Sequence, residues 1–393
     1  MTLGERLDAV YALGGGPGAN RPAYTPAEDE AHALVAGWLE EAGLEVARDP
    51  AGNLFGRLRG ARPELPEVWT GSHLDSVPRG GRFDGPLGVL AGLEAVRRVG
   101  QQARTLAVVA FRDEEGWRFG RGCFGSRALC GQLEPGELDT ADEEGVTLRA
   151  AVGGDLPPGW LDPPPAAYVE AHVEQGPVLD GLDAPLGVVT SIVGLSRLAV
   201  TFRGRAGHAG TTPMAGRDDA LVKAAAFVGA VRAAVEHACV SEARAGGAVA
   251  TVGRLVVEPG AANVIPERVE LLVDARAPEE QVLAGLVAEI TAAAGDADVQ
   301  LLRRTAPVPM AEPVRAVLRD ALAGLGLPAP ELHSGAGHDA GVLGAAGVPS
   351  GMLFVRSRRG GVSHSPEEHS DAADVELCVE ALAGALPRLA SSS

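Results

Sequence analysis

Cysteine and long apolar runs are scarce in this chain of 393 residues. The four cysteines, Cys123, Cys130, Cys239 and Cys378, have no CxxC spacing and no secreted-domain pattern, so we expect reduced thiols. No apolar run approaches the roughly 20 residues that a membrane span requires. The amino terminus lacks the basic-then-apolar pattern of a signal peptide. These absences argue against a disulfide-stapled secreted domain and an integral membrane protein, and they predict a cytoplasmic location.

Basic residues are outnumbered as well. The chain has 34 Lys and Arg against 52 Asp and Glu, which gives a formal net charge of -18. Such an acidic balance argues against nucleic acid or anionic membranes as partners. An acidic substrate would need a local cation in its binding site.

Apolar residues are plentiful, at 46% of the chain, and the length is sufficient for two hydrophobic cores. The pattern changes near Leu186. From there to about Arg304 the predicted elements follow the order β-α-β-β-α-β, which is typical of a ferredoxin-like unit. We therefore predict an α/β protein: an α/β/α sandwich formed by residues 1–185 and 305–393, with an inserted ferredoxin-like domain at residues 186–304.

Local patterns predict several individual elements. Leu106 to Phe111 is a continuous apolar run, as expected for a strand covered on both faces. The sequence Thr25-Pro26-Ala27-Glu28 has the form of a capping box and predicts the start of an amphipathic helix that ends at Gly43. Both elements would belong to the larger domain.

The stretch from Gly71 to Gly85 contains the first two candidate site residues. His73 follows the strand-like run that begins at Val68, at the carboxyl end of a strand, where open α/β sheets bind their ligands. Asp84 precedes an apolar helix predicted at Pro86 to Val99, with proline in its first turn. A histidine and a carboxylate are thus brought to the same edge of the predicted sheet. An isolated pair of this kind is more often a surface hydrogen bond than two metal ligands.

Further candidate ligands lie at other strand ends. Three of the nine histidines fall at strand ends or in the loops that follow: His73, His172 and His364. Together with Asp84, Glu114 and Glu115 they form a nitrogen and oxygen donor set without cysteine, which suits catalytic zinc, manganese, cobalt or nickel better than a closed structural zinc site. Adjacent side chains on a strand face opposite sides, so one glutamate can bind metal while the other faces the substrate as a general base. The alternative is a solvated acidic strand end.

Eight ordered motifs carry a family resemblance across essentially the whole chain. They are Gly71-Ser72-His73-Leu74-Asp75-Ser76, Gly81-Arg82-Phe83-Asp84-Gly85, Glu114-Glu115-Gly116-Trp117-Arg118-Phe119, Glu170-Ala171-His172-Val173-Glu174-Gln175-Gly176, Gly207-His208-Ala209-Gly210-Thr211-Thr212-Pro213-Met214, Gly260-Ala261-Ala262-Asn263-Val264-Ile265-Pro266, Gly335-Ala336-Gly337-His338-Asp339-Ala340 and Ser363-His364-Ser365-Pro366-Glu367-Glu368. On these motifs the sequence resembles the amidase branch of the M20 metallopeptidase superfamily. This hydantoinase/carbamoylase group contains N-carbamoyl-L-amino-acid hydrolases, allantoate amidohydrolases and β-ureidopropionases. Trp117 departs from the pattern, which has a small or aliphatic residue there.

The resemblance implies a binuclear site for two divalent ions per subunit, either zinc, manganese, cobalt or nickel. Asp84 would bridge the two ions. The other ligands would be His73 and His172 on one ion, and Glu115 and His364 on the other. Glu114 would be the general base and then the general acid, and Asp75 resembles a carboxylate that orients the ligand His73, with a capping or surface role as the alternative.

The resemblance also implies the substrate contacts. These would be Gln175, His208, Asn263 and Arg276. His208 would polarise the scissile carbonyl as a second catalytic group, reaching the active site of the other subunit in a homodimer. Arg276 has a planar guanidinium suited to a substrate carboxylate, and its alternative is a surface salt bridge with Asp274 or Glu270. The inserted domain would act as a lid and dimerisation module.

The predicted function is hydrolysis of the carbamoyl C–N bond of an N-carbamoyl-L-amino acid, or of the related ureido bond of allantoate, with release of ammonia. Two alternatives remain: an M20-type dipeptidase or aminoacylase, and a non-catalytic metal-binding relative. His364 within Ser-His-Ser-Pro, and the pair His172 and Gln175, resemble the amidase branch more closely than the peptidases. No metal ligand or base is missing from the motifs, which disfavours the non-catalytic alternative.

Overall fold

The computed structural model describes residues 1–240 and 247–391. The chain divides into two compact units. The first comprises Met1–Thr190, Pro309–Leu332 and Gly337–Ser393; the second comprises Ser191–Val308 and His333–Ala336.

Helices and strands alternate along most of the chain. Up to the start of the second unit they are α1 (Leu3–Tyr11), α2 (Pro26–Glu41), β1 (Glu45–Arg48), β2 (Leu54–Leu58), β3 (Val68–His73), α3 (Pro86–Val99), β4 (Leu106–Phe111), α4 (Phe124–Leu129), a 3₁₀ helix (Glu137–Asp139), α5 (Leu148–Val152), β5 (Ala167–Val173), α6 (Val178–Gly181) and β6 (Leu186–Ile192). Then follow β7 (Gly194–Arg203), β8 (Gly207–His208), α7 (Ala220–Val240), β9 (Val249–Glu258), β10 (Val264–Ile265), β11 (Arg268–Ala277), α8 (Glu280–Ala293) and β12 (Asp298–Thr305). The last elements are β13 (Val308–Pro309), α9 (Glu312–Gly324), β14 (Glu331–Ser334), α10 (Asp339–Ala345), β15 (Ser350–Val355) and α11 (Ala372–Ala390).

A nine-stranded sheet forms the centre of the first unit. Its order is β1-β2-β4-β3-β5-β15-β6-β13, with β14 beside β6. The neighbouring pairs β3–β4, β3–β5 and β5–β15 are parallel, so these four strands end at the same edge of the sheet. In this register His73 lies opposite Phe111, and His172 lies opposite Phe354. The predicted α/β class is confirmed, and every residue of the predicted strand β4 is buried.

Helix α3 packs directly on the parallel strands. Leu87 and Leu90 are fully buried in the core that the helix shares with the sheet. A Cβ atom at Gly88 would lie 2.1 Å from the carbonyl oxygen of Ala171 and 2.7 Å from the Cβ of Ser72. Glycine at this position therefore lets the helix approach the backbone that carries His73 and His172.

The start of helix α2 differs from its prediction. Thr25 is the N-cap residue, but its side chain makes no capping bond and donates instead to the carbonyl of Pro22. Glu28 is fully buried, accepts a hydrogen bond from the amide of Tyr24, and lies 2.7 Å from Arg112. The predicted capping box is therefore wrong, because a buried ion pair with a residue distant in sequence holds Glu28 in place.

The second unit contains a four-stranded sheet of order β12-β7-β11-β9, antiparallel throughout. The chain traces it as β7-α7-β9-β11-α8-β12, with a two-stranded ribbon of β8 and β10 added. Helices α7 and α8 bury Phe227 and Leu283 against Phe202 and its neighbours in a separate core. The assignment of this unit as a lid and dimerisation module stays a prediction.

The state of the cysteines and the presence of membrane-spanning helices can be checked for the described residues. Cys123, Cys130 and Cys378 are free thiols. Of the helices described here, none has the length and apolar character needed to cross a membrane.

Candidate metal centre

The parallel strands bring two histidines to one edge of the sheet. His73 is the last residue of β3, and His172 is the last but one of β5; both are buried. Asp84 lies at the end of the loop before α3, and it is also buried. His364 lies in a loop after β15 with a φ of 50°, a left-handed conformation that is uncommon for residues other than glycine.

Two groups of potential ligand atoms share Asp84. One group is His73, Asp84 and His172; the other is Asp84, Glu115 and His364. Within each group the atoms lie within 4.8 Å of one another. The Oδ1 atom of Asp84 is 3.2 Å from Nε2 of His172 and 3.7 Å from Nε2 of His73, whereas Oδ2 is 3.4 Å from Nε2 of His364. The two oxygens of one carboxylate therefore face different groups.

The donor atoms of these groups fit a divalent ion. Nδ1 of His172 lies 2.8 Å from the carbonyl oxygen of Val173, and Nδ1 of His73 lies 3.2 Å from the carbonyl of Asp75. A proton on each Nδ1 makes these hydrogen bonds and leaves a lone pair on Nε2 that faces Asp84. Both Nε2 atoms and Oε1 of Glu115 are buried without a hydrogen-bond partner among the described residues. Lone pairs that face a carboxylate need a positive charge between them, which a metal ion provides.

The charges of the groups reinforce this fit. Burial alone would raise the pKa of Asp84, but the neighbouring imidazoles, first His172 and then His73 and His364, lower that pKa. Burial alone would lower the pKa of His73, but Glu114, Asp75 and Asp84 raise it well above its usual value. Ionised Asp84 and its acidic neighbours thus attract positive charge to this edge of the sheet.

Asp75 positions both adjacent glutamates. Its Oδ1 and Oδ2 accept the backbone amides of Glu114 and Glu115, each at 3.1 Å, and Oδ1 is 3.3 Å from Nδ1 of His73. The glutamates do face different partners, but the predicted reason was wrong. They lie in a turn beyond β4, after Asp113 with a φ of 54°, so the turn and the Asp75 carboxylate set their directions rather than strand alternation.

Glu114 borders the first group without belonging to it. Its Oε2 lies 3.8 Å from Nε2 of His73, and its Oε1 lies 3.6 Å from the Sγ of Cys123, which can donate a weak hydrogen bond. Burial raises the pKa of Glu114 well above its usual value; the charge of His73 opposes this rise, and nearby carboxylates, first Asp339, add to it. A carboxylate with a raised pKa beside a ligand group is suited to moving protons.

Three polar residues extend the second group. Gln175 donates from Nε2 to Oδ2 of Asp84 and to the hydroxyl of Ser363, both at 3.0 Å. Glu368 accepts hydrogen bonds from the loop that carries Asp84 and from Ser363. Sequence reasoning missed Ser363 and Glu368, although both lie in the motif around His364. The available signal was an acidic residue shortly after that histidine, within a motif already selected.

The remaining predicted substrate contacts, His208, Asn263 and Arg276, lie in the second unit. Nδ1 of His208 accepts the amides of Gly210 and Thr211 at 3.0 and 3.2 Å, which places the proton of the neutral ring on Nε2. Asn263 precedes strand β10, whose Val264 pairs with His208. These two residues are therefore neighbours within the unit.

Arg276 makes the salt bridge that was its alternative assignment. Its Nε donates to Asp274 at 2.8 Å, and its Nη1 donates to the carbonyl of Gly335 at 2.8 Å. Its role as a carboxylate-binding residue stays a prediction.

A mixed α/β sheet whose strand ends collect histidines and carboxylates around one shared aspartate, next to a partly buried glutamate, is typical of metal-dependent hydrolases. The comparison with known proteins is more specific. The chain belongs to peptidase family M20/M25/M40, whose profile matches residues 69–388. The family recognised from the sequence is thereby confirmed.

Individual relatives resemble the chain over nearly its full length. It is 42% identical to an N-carbamoyl-L-amino acid amidohydrolase of Geobacillus stearothermophilus, with 97% of this chain and 96% of the relative covered. It is 35% identical to an allantoate amidohydrolase of Bacillus subtilis, with 97% and 95% covered. Among solved structures, a hydantoinase/carbamoylase family amidase from Burkholderia multivorans superimposes with a TM-score of 0.89 at 34% identity, covering 99% of this chain and 97% of that one.

Proposed function

We propose that this protein hydrolyses the carbamoyl C–N bond of N-carbamoyl-L-amino acids, or the equivalent ureido bond of allantoate. The observation that carries the proposal is Asp84, whose two oxygens face two groups of histidine and carboxylate ligands beside Glu114. The relatives that match this chain over nearly its full length are amidohydrolases with these two substrates in their names.

Each ligand group would bind one ion. His73 and His172 with Asp84 would hold one divalent ion, and Glu115 and His364 with Asp84 a second. Zinc, manganese, cobalt and nickel all suit imidazole and carboxylate ligands. Bound ions would supply Lewis-acid polarisation and would lower the pKa of water toward neutrality.

Glu114 is the proton-transfer group in this proposal. Its carboxylate takes a proton from the attacking water and returns one to the leaving nitrogen, so that water is added across the C–N bond and the glutamate ends as it began. Asp75 holds Glu114 in position through the backbone amide. The turn beyond β4 therefore places Glu114 beside the first ligand group and Glu115 within the second.

The other predicted substrate contacts keep their roles in this proposal. His208 carries its proton on Nε2, which suits a donor to the oxygen of the scissile carbonyl. Arg276 would bind the substrate carboxylate, using N–H groups beyond the two that contact Asp274 and Gly335. Gln175 and Asn263 would contact amide groups of the substrate. We further propose a cytoplasmic homodimer in which the second unit serves as lid and dimer interface.

The first prediction tests the activity with Glu114→Gln. Chelated protein reloaded with manganese, zinc, cobalt or nickel should release ammonia from N-carbamoyl-L-amino acids or allantoate. Glu114→Gln should lose at least about 1,000-fold in kcat, because the amide cannot accept the proton, while still binding metal. Ammonia release and free amino acid are followed together, and bound metal is measured by elemental analysis.

The substrate panel includes N-acetyl amino acids and dipeptides as controls. Free amino acid released from these controls alone would contradict the proposal and assign a peptidase or aminoacylase. Glu143→Gln, at an exposed position away from the site, is the matched carboxyl-to-amide control and should retain full activity.

A further inference from the structure

Glu368 lies outside both groups of ligand atoms, yet it is only 6% exposed. Its Oε1 accepts the backbone amides of Phe83 and Asp84 at 2.7 and 3.2 Å. Its Oε2 is 3.0 Å from the hydroxyl of Ser363, the residue before His364. One carboxylate therefore contacts two loops that are about 280 residues apart in sequence and that carry two ligands of the second group.

Ser363 extends these contacts to the shared ligand itself. Its hydroxyl is 3.3 Å from Oδ2 of Asp84 and also accepts Nε2 of Gln175 at 3.0 Å. Oδ2 is the Asp84 oxygen that faces His364. The single hydroxyl proton of Ser363 can be donated either to Glu368 or to this oxygen, so Ser363 links the Glu368 carboxylate to the ligand atom of the second group.

The sequence around Asp84 leaves space for this carboxylate. A Cβ atom at Gly81 would lie 2.1 to 2.2 Å from the carboxyl carbon and both oxygens of Glu368. Gly81 is not among the residues with positive φ, so its glycine is explained by this close approach and not by backbone conformation. An alanine here would displace the end of the Glu368 side chain.

We propose that Glu368 is a positioning residue that holds the Asp84 loop against the His364 loop and thereby forms the second ion-binding group. This inference rests on the proposed role of Asp84, Glu115 and His364 as metal ligands. The two groups differ in their dependence on such a contact. His73 and His172 are held on adjacent strands of the sheet, whereas about half of the His364 side chain is exposed and its residue lies in a loop.

The second prediction follows from this difference. Partners that orient metal ligands typically contribute about 10- to 100-fold to metal affinity. Glu368→Ala should therefore raise the Kd for the second ion by about 10- to 100-fold, and raise the Kd for the first ion, which shares only Asp84 with the second, by a smaller factor. Chelated full-length protein is titrated with Mn²⁺ alone, and the number of ions and both Kd values are read by calorimetry. Glu368→Gln, which keeps one oxygen acceptor, should fall between the wild type and Glu368→Ala.

The adjacent Glu367 provides the matched control. Its side chain is exposed, so Glu367→Ala removes the same charge from the same loop without removing the contacts to Phe83, Asp84 and Ser363. Glu367→Ala should bind two ions with wild-type affinities. An equal loss of affinity in Glu367→Ala and Glu368→Ala would show that the lost charge, and not the lost contacts, weakens ion binding. That result would overturn the proposal.

Gly81→Ala tests the geometry separately from the charge. In the wild-type background the added methyl should displace the Glu368 carboxylate and weaken the second ion as Glu368→Ala does. In the Glu368→Ala background the methyl has space, so Gly81→Ala should cause little further loss. Independent effects that multiply in the double variant would overturn the positioning role.

Failure of this inference is distinguishable from failure of the proposed function. If the wild type binds no Mn²⁺, both the ion site and the role of Glu368 are overturned. If the wild type binds two ions and Glu368→Ala binds each of them with the wild-type Kd, only the role of Glu368 is overturned. Circular dichroism and thermal unfolding of each chelated variant identify any that fail to fold, and for these the comparison with Glu368→Gln decides.

Discussion

The environment of His364 sets it apart from the two other candidate histidine ligands. His73 and His172 are buried, whereas 51% of the His364 side chain is exposed. Its Nε2 lies 3.2 Å from Oε2 of Glu115, and this hydrogen bond is the main reason that its pKa is raised to about 9. A proton on His364 therefore competes with a metal ion for the same carboxylate neighbours.

The third prediction concerns pH. Because the folded-state pKa of His364 lies above the unfolded value of about 6.5, its protonation stabilises the metal-free protein fully below about pH 6.5, and this stabilisation is lost as the pH rises through about 9. The exposure of the side chain lets solvent screen the effect, so the change in the free energy of unfolding should be small. Ion binding must displace the proton, so affinity for the second ion should rise about tenfold per pH unit from pH 6.5 to 9.

Metal titrations of chelated protein at four pH values check this dependence. His364→Gln should bind the second ion weakly at every pH and should lose the slope. An affinity that does not change between pH 6.5 and 9 in the wild type would contradict the raised pKa.

Two glycines in helices show how the elements support the site. Gly88 in α3 faces the backbone of Ala171 and the side chain of Ser72, next to His172 and His73. Gly37 in α2 has no atom within 4 Å of the position that a Cβ would occupy. The same substitution should therefore have opposite effects in the two helices.

The fourth prediction compares Gly88→Ala with Gly37→Ala. Gly37→Ala should stabilise the protein by about 0.5–1 kcal/mol, because alanine has the higher helix propensity. Gly88→Ala should destabilise it by about 1–3 kcal/mol, because the methyl group forces α3 away from the strands. Denaturant unfolding of the chelated proteins measures both, and a stabilising Gly88→Ala would contradict the packing of α3.

Across the whole molecule the two units have separate hydrophobic cores. The core of the second unit includes Phe227, which is 2% exposed and whose ring centroid lies 5.4 Å from that of Phe202. All the residues of the two ligand groups lie in the first unit. Metal binding should therefore change the free energy of unfolding of the first unit, and substitutions in the second core should change that of the second unit.

The fifth prediction combines metal removal with a core substitution. Metal at 100 times its Kd should stabilise the first unit by about 2.7 kcal/mol, and chelation should reverse this. Phe227→Ala should cost the second unit about 3–5 kcal/mol, whereas Val228→Ala, at a partly exposed neighbour, should cost less than about 1.5 kcal/mol. Calorimetry with and without metal follows both changes. A metal-induced shift that Phe227→Ala abolishes would contradict separate stabilisation.

The sequence by itself determined the fold class, the family and most of the elements. The apolar run at Leu106–Phe111 and the helix at Pro86–Val99 were predicted with the bounds that the structure has. Hydrophobic periodicity and proline at a helix start are local properties, so the chain displays them directly. Short elements without such a pattern, such as α4 and α10, were not predicted. The motifs also selected the residues that form the two ligand groups.

Only the tertiary structure decided how these residues act together. Thr25 and Glu28 looked like a capping box until Arg112, 84 residues after Glu28, proved to be the partner of that glutamate. The turn at Asp113 and the carboxylate of Asp75 set the directions of Glu114 and Glu115. Glu368 accepts the amide of Asp84 and packs against Gly81, although both are distant from it in sequence. Contacts between distant segments depend on packing, which local sequence patterns do not encode.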